Sequence, residues 1–177
     1  ATLEIAQELY TSGHISYPRT SSQQLPAAIG YGKVITALSQ QPEYAELAKK
    51  LLKVRQLKPN NGKKTDPAHP AIYPTGIKPK NLDKRNYKVY DLIARRFLAT
   101  FADAATRETM SIEIDCNKEL FIAKGTRTKE RGWHVFYEPY LNFEEEELPN
   151  VGKSDNVDVK KINLHEKETQ APKRYTP

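Results

Sequence analysis

The chain has 177 residues, 38% of them hydrophobic, and its 28 basic and 22 acidic side chains give a net charge of +6. That length can bury a real core, as one large domain or two small ones, and no run of 18 apolar residues offers a membrane span. A single cysteine, Cys116, excludes an internal disulfide framework and a cysteine-based zinc site and fits a reducing cytoplasm.

Residues 3–12, LEIAQELYTS, bring Leu3, Ala6, Leu9 and Tyr10 to one helical face, and Gly13 reads as the stop. HISYPRT follows as an extended segment, because Pro18 biases Tyr17 away from the α region. A second helix is expected in AIGYGKVITALSQ. A third is expected in QPEYAELAKKLLKVRQL, where Pro42 suits the first turn and Tyr44, Leu47, Ala48, Leu51 and Leu52 form an apolar stripe. Residues 56–81 are rich in proline and lysine and lack periodicity, and a loop of that length in a compact domain is usually functional or disordered. Asp83 is placed to cap a fourth helix, KRNYKVYDLIARRFLATFA, whose apolar face is Tyr90, Ile93, Phe97 and Phe101, with Val89 and Leu92 beside it.

Beyond Asp103 the period changes. TMSIEIDC alternates Met110, Ile112, Ile114 and Cys116 against Thr109, Ser111, Glu113 and Asp115, the signature of a strand. ELFIAKG, GWHVFYE and NVDVKKINL read as further strands, the last with room for a bulge at Lys160–Lys161. Glu144–Glu147 reads as a solvated turn. The expected fold class is α+β: a mainly helical domain over residues 1–103 and a small antiparallel β-rich domain over 104–177. The chain opens within a helical pattern and stops at QAPKRYTP, which suggests a piece of a longer protein.

The charge is unevenly spread. Residues 51–103 hold 12 basic and 4 acidic side chains, whereas 1–50 hold 4 of each and 104–177 hold 12 and 14. A positive field concentrated in the middle of the chain points to a polyanion, nucleic acid foremost, although lysines that only solvate a loop give the same count.

Three side chains stand out chemically. A phenol, with a reference pKa near 10, is a poor nucleophile at neutral pH. A nearby guanidinium favours its ionised form and neutralises a phosphate under attack. Arg19 sits two residues after Tyr17, so on extended backbone both point to the same face. With 10 tyrosines in the chain, composition alone singles out none of them. His69, set among Pro67 and Pro70 in the basic loop, can hydrogen-bond a phosphate oxygen or pass a proton. His14, His134 and His165 lack comparable surroundings, and the histidines show no metal-ligand spacing. The hydroxyls of Thr20, Ser21 and Ser22 suit phosphate contacts or a helix cap, and the middle lysines suit contacts to a nucleic-acid backbone.

GHISYPRTSSQQLP resembles the active-site tyrosine motif of type IA DNA topoisomerases, most closely the archaeal topoisomerase I branch, and DPAHPAIYPTG resembles that family's second signature. YDLIARRFLATF is similar to the helix leading back into the family's gate-forming arch, and TQAPKRYTP to the start of the segment returning to its base. The resemblance implies that Tyr17 is the nucleophile that cleaves one DNA strand through a 5′-phosphotyrosine, that Arg19 stabilises the developing charge, and that His69 assists. It implies single-stranded DNA contacts from Thr20, Ser21, Ser22, Lys63, Lys64 and Thr75, and a cytoplasmic, nucleoid-associated setting. It also implies Mg²⁺ held by a toprim domain that this chain lacks, no metal in the chain itself, and the toprim and base domains of the same polypeptide as partners. The 1–103 unit would be the tyrosine domain and 104–177 part of the gate, inactive in isolation. Where the family often has an acidic residue after Arg-Thr, this chain has Ser21. The competing readings are a non-catalytic single-stranded nucleic-acid-binding module and a plain interaction domain. Within the family, topoisomerase III and the topoisomerase half of reverse gyrase remain alternatives.

Overall fold

The computed structural model describes residues 2–171. Five helices and one two-stranded antiparallel ribbon follow one another along the chain, a mixed α+β arrangement. They are α1 (Thr2–Thr11), α2 (Tyr31–Ser39), α3 (Ala45–Leu52), α4 (Lys84–Ala99), β1 (Thr106–Cys116), β2 (Glu119–Glu130) and the short α5 (His134–Tyr137).

Helix α1 buries Ala6 and Leu9, while Leu3 and Tyr10, expected on the same face, are largely exposed. It ends at Gly13, whose φ of +76° is open to glycine at little cost. There the amide of His14 donates to the carbonyl of Leu9 and that of Gly13 to Tyr10, the paired bonds of a Schellman stop. Helix α2 is shorter than expected, because a 3-10 turn at Ala27–Ile29 precedes it. Helix α3 stops at Leu52 instead of running on to Leu57. Val54, exposed, has no apolar surface to cover, so nothing repays further helical turns. Asp83 caps α4 as expected, its Oδ1 accepting from the amides of Arg85 (2.7 Å) and Asn86 (2.9 Å).

Helix α4 is the spine. Its Tyr90, Ala94, Phe97 and Leu98 are buried against Leu9 and Ile15 from the first segment and Ile35, Leu38, Tyr44 and Ala48 from α2 and α3. The Tyr44 hydroxyl donates to Asp91 Oδ1 at 2.9 Å and that of Tyr140 to Asp91 Oδ2 at 2.6 Å, while Arg95 Nε pairs with the same carboxylate at 3.0 Å. One half-buried carboxylate thus ties α3, α4 and the turn after α5. Both phenols are pushed upward, by burial first and by Asp91 next.

Strands β1 and β2 form a hairpin in the register Cys116↔Glu119 at the tip, and Asn117 and Lys118 take φ of 53° and 72°. Both central residues are therefore left-handed, as a two-residue type I′ turn requires, and Asp115 Oδ1 accepts from the Lys118 amide. The ribbon is only partly covered: Leu120, Phe121 and Ile122 stay exposed.

Two expected strands are corrected. Within residues 132–138 lies the helical turn α5 (His134–Tyr137), with His134 and Phe136 buried and Arg96 of α4 over the Trp133 and Tyr137 rings. Both alternating faces of GWHVFYE find cover, so its short apolar run fits a strand or a helix equally, and packing on α4 decided. Residues 156–164 form no strand, and Val157, Val159, Ile162 and Leu164 lie exposed. Among the described residues the β-structure is therefore one hairpin plus isolated bridges. The final segment assigned to the return toward the base, TQAPKRYTP, lies largely outside the described residues.

Candidate active site

Two extended segments, 14–25 and 61–75, run antiparallel and lace together. Ser16 donates its amide to the Tyr73 carbonyl at 2.9 Å and accepts the Tyr73 amide on its Oγ at 2.9 Å. The Thr75 amide donates to the His14 carbonyl, and its hydroxyl donates to the Gly13 carbonyl at 2.7 Å. Farther along, Ala71 donates to Gln24, Gln23 donates to Lys64, and Gly62 donates to Gln23. The Leu25 amide closes the far end on Asn61 Oδ1. Core packing fixes the near end: Ile15 and Pro74 are buried partners in a β-bridge. Gly76, at φ +91°, lies so close to α2 that a Cβ there would come 2.7 Å from that of Ala37. Its carbonyl accepts from the buried Gln41 side chain.

That lacing brings Tyr17 and His69, 52 positions apart, into ring contact with centroids 4.5 Å apart and planes tilted by 43°. Tyr10 of α1 also packs edge-on against Tyr17, with centroids 5.3 Å apart. The Tyr17 ring thus contacts two aromatic groups, while its phenol oxygen has no hydrogen-bond partner among the described residues. The His69 ring is placed through its backbone. Asp66 Oδ1 accepts from the amides of Ala68 (2.9 Å) and His69 (3.0 Å), and Thr20 Oγ1 donates to the His69 carbonyl at 3.2 Å. Those accepted amide bonds hold the Asp66 carboxyl below its ordinary value. Ser21 Oγ approaches the other carboxylate oxygen at 3.5 Å.

Arg19 is exposed, and its guanidinium has no ion-pair or hydrogen-bond partner among the described residues. It borders an open groove whose other wall is Gln7, Glu8 and Thr11 of α1 and Ser12 just after it. The structure thus joins Tyr17 to His69 by direct contact and leaves Arg19 as an unengaged cation two residues on. Pro18 between them is buried and anchors the segment.

The remaining candidates divide. Lys63 and Lys64 are exposed on the laced loop, Lys64 through main-chain bonds to Gln23. Thr20 Oγ1 also accepts the Ser22 amide, and Ser22 Oγ the Gln24 amide, so both hydroxyls shape the turn after Arg19. No helix is capped by them; the next helical turn begins at Ala27. Thr75 points its hydroxyl into the protein as a brace. Sequence reasoning passed over Asp66, Ser16 and Tyr10. The Asp-Pro pair ahead of His69 is an Asx-turn signal that could have flagged Asp66, whereas nothing local marks Tyr10 as a neighbour of Tyr17. His14 is buried at 9% exposure with an unpartnered Nδ1, beside Tyr90 and apart from this cluster.

A sequence model of the family described as DNA topoisomerase matches residues 1–177. The chain belongs to that family. It is 48% identical over 99% of its length to DNA topoisomerase 1 of Methanocaldococcus jannaschii, covering 23% of that protein. It is 44% identical over 98% of its length to DNA topoisomerase 1 of Methanothermobacter thermautotrophicus, covering 24%. Human DNA topoisomerase 3-alpha is 31% identical over 99% of the chain, which covers 17% of it. The chain thus spans about a quarter of the archaeal relatives' length. No helix among the described residues is long and apolar enough to cross a membrane.

Proposed function

We propose that this chain is the tyrosine-bearing segment of a type IA DNA topoisomerase, and that Tyr17 opens one DNA strand by transesterification. The observation that carries the reading is the contact between Tyr17 and His69, built from two segments that share no local reason to meet. The phenol oxygen of Tyr17 attacks a backbone phosphorus, the P–O3′ bond breaks, and the 5′-phosphate stays on the tyrosine. The phenolic proton leaves as the bond forms, and the departing 3′ oxygen gains one. His69, against the Tyr17 ring, is the group placed to relay it. Arg19, an unpaired cation two residues on, offsets charge on the phosphate as it crowds to five oxygens. Religation runs the same steps backward. The covalent link conserves the phosphodiester energy, so no nucleotide is consumed.

Single-stranded DNA is the substrate in this reading, with Thr20, Ser21, Ser22, Lys63 and Lys64 around the strand, and Thr75 acting from behind. Strand passage through the open break would relax negatively supercoiled DNA. The cytoplasm, at the nucleoid, is the setting. Mg²⁺ belongs to the toprim domain elsewhere in the same polypeptide. The described residues gather no group of three His, Cys, Asp or Glu side chains placed to hold a metal.

The test is a denaturing gel. The chain is supplied with the rest of the enzyme and with a strand labelled at its 3′ end. A covalent adduct on the labelled strand, lost in Tyr17→Phe, is expected. An adduct that persists in Tyr17→Phe, or binding without any adduct, would leave only a nucleic-acid-binding module.

A further inference from the structure

Behind the laced segments, on the side of α4, lies a polar cavity of about 400 Å³ between Ser22–Gln23, Asn60, Ala71–Ile72 and Arg96. Arg96 stands in the last turn of α4, and its guanidinium lies 5.8 Å from the Trp133 ring centroid and 5.4 Å from that of Tyr137. No carboxylate pairs with it among the described residues, unlike Arg95 one position earlier, which is engaged by Asp91. Two aromatic faces therefore hold a cation in place without neutralising it, an arrangement that fixes its direction and leaves its N–H donors free. The Asn60 side-chain amide, which no protein group engages among the described residues, lines the same cavity, and Ser22 keeps its hydroxyl proton free while its oxygen accepts from Gln24. Every free polar group named here is a donor or can act as one, and no acidic side chain lines the cavity.

We propose that this cavity is an anion subsite that takes a backbone phosphate of the same single strand whose cleaved linkage lies at Tyr17, with Arg96 as the binding cation. The inference rests on the function proposed above. Ser22 is five residues from Tyr17 and Ala71 two from His69, so the Cα atoms of Ser22 and Tyr17 lie at most ~18 Å apart. A strand crossing the reactive centre reaches both. The subsite would fix the register of the strand by gripping a phosphate away from the bond that breaks, and it reads no base, in keeping with backbone positioning.

The experiment measures affinity for a fluorescein-labelled oligo-dT by anisotropy across a salt series. Losing one phosphate contact on a single strand flattens the log K against log salt slope by ~0.7, which is about a 5-fold loss at 0.1 M salt. Arg96→Ala should show that change and Lys118→Ala at the hairpin tip should not. Asn60→Asp, which leaves α4 untouched and puts a carboxylate into the cavity, should also weaken binding, so the outcome does not depend on whether α4 tolerates the first change. Unchanged affinity and slope in Arg96→Ala and Asn60→Asp, while the parent binds and Tyr17→Phe still abolishes the adduct, would overturn the subsite and spare the enzymatic reading. An equal loss in Lys118→Ala would overturn the subsite as well, by showing diffuse charge. A parent chain that binds no oligo-dT would overturn the subsite.

Discussion

Thr75→Val separates two roles for one hydroxyl. The Thr75 side chain donates to the Gly13 carbonyl at 2.7 Å and sits within 3.3 Å of the His14 carbonyl, so it pins the His69 segment to the end of α1. Valine keeps the β-branched shape and removes the donor. A neutral hydrogen bond of this kind contributes about 0.5–1.5 kcal/mol net, and a half-buried carbonyl left without its partner moves the cost toward the upper end. For a chain of this size about 1 kcal/mol corresponds to roughly 2–4 °C in Tm. Thermal or urea unfolding of the parent and the variant measures it directly, and oligo-dT affinity is measured alongside. The bracing role predicts a Tm lower by that amount with affinity retained. An unchanged Tm with weakened DNA binding would refute it and return Thr75 to the DNA-facing set.

Asp66→Ala should slow adduct formation by about 10- to 100-fold, the scale set by misplacing a reactive group by an ångström, and should leave oligo-dT affinity nearly unchanged. Because its folded pKa is lowered, the Asp66 brace is complete above the ordinary carboxylate pKa and is lost as pH falls through the folded value. The parent's advantage over Asp66→Ala should therefore vanish at acid pH, checked by paired unfolding curves. His134 is held below its ordinary pKa, by burial first and then by Arg107 and Arg131, with Glu145 acting the other way. The unfolded chain therefore takes that proton first. Stability should drop as pH falls below about 6.5 and level off below the folded value. Urea unfolding of the parent and His134→Gln at pH values on either side should show the drop only in the parent. Arg19→Ala should reduce the cleavage rate more than it weakens binding, if the guanidinium acts at the transition state, and single-turnover kinetics distinguish the two.

Much of this was legible in the sequence where local signals were strong. Asp83 ahead of a long amphipathic run gave the α4 cap, Gly13 gave the stop before the tyrosine segment, and the alternation from Thr109 to Cys116 gave β1. Tyr17 and His69 were singled out by residue type and motif, but nothing local says that segments 14–25 and 61–75 lace together; that pairing is set by long-range main-chain bonds and by burial of Ile15 and Pro74. GWHVFYE was misread because so short an apolar run carries no period long enough to distinguish helix from strand, and its partner, Arg96 with the α4 surface, lies about forty residues earlier. NVDVKKINL was misread because alternation is a necessary feature of a half-buried strand, and no second strand lies beside it among the described residues. Asp66 escaped because its role is exercised through the amides of its neighbours, which a search for reactive side chains does not weigh.

In the proposed mechanism the Tyr17 and His69 rings share one reactive centre in solution. Nuclear Overhauser spectroscopy on the chain, with Tyr17 and His69 assigned by single substitution, should show cross-peaks between the ring protons of the two, as centroids 4.5 Å apart demand. Well-resolved spectra of the folded chain, with cross-peaks from Tyr17 to Tyr10 but none to His69, would contradict it.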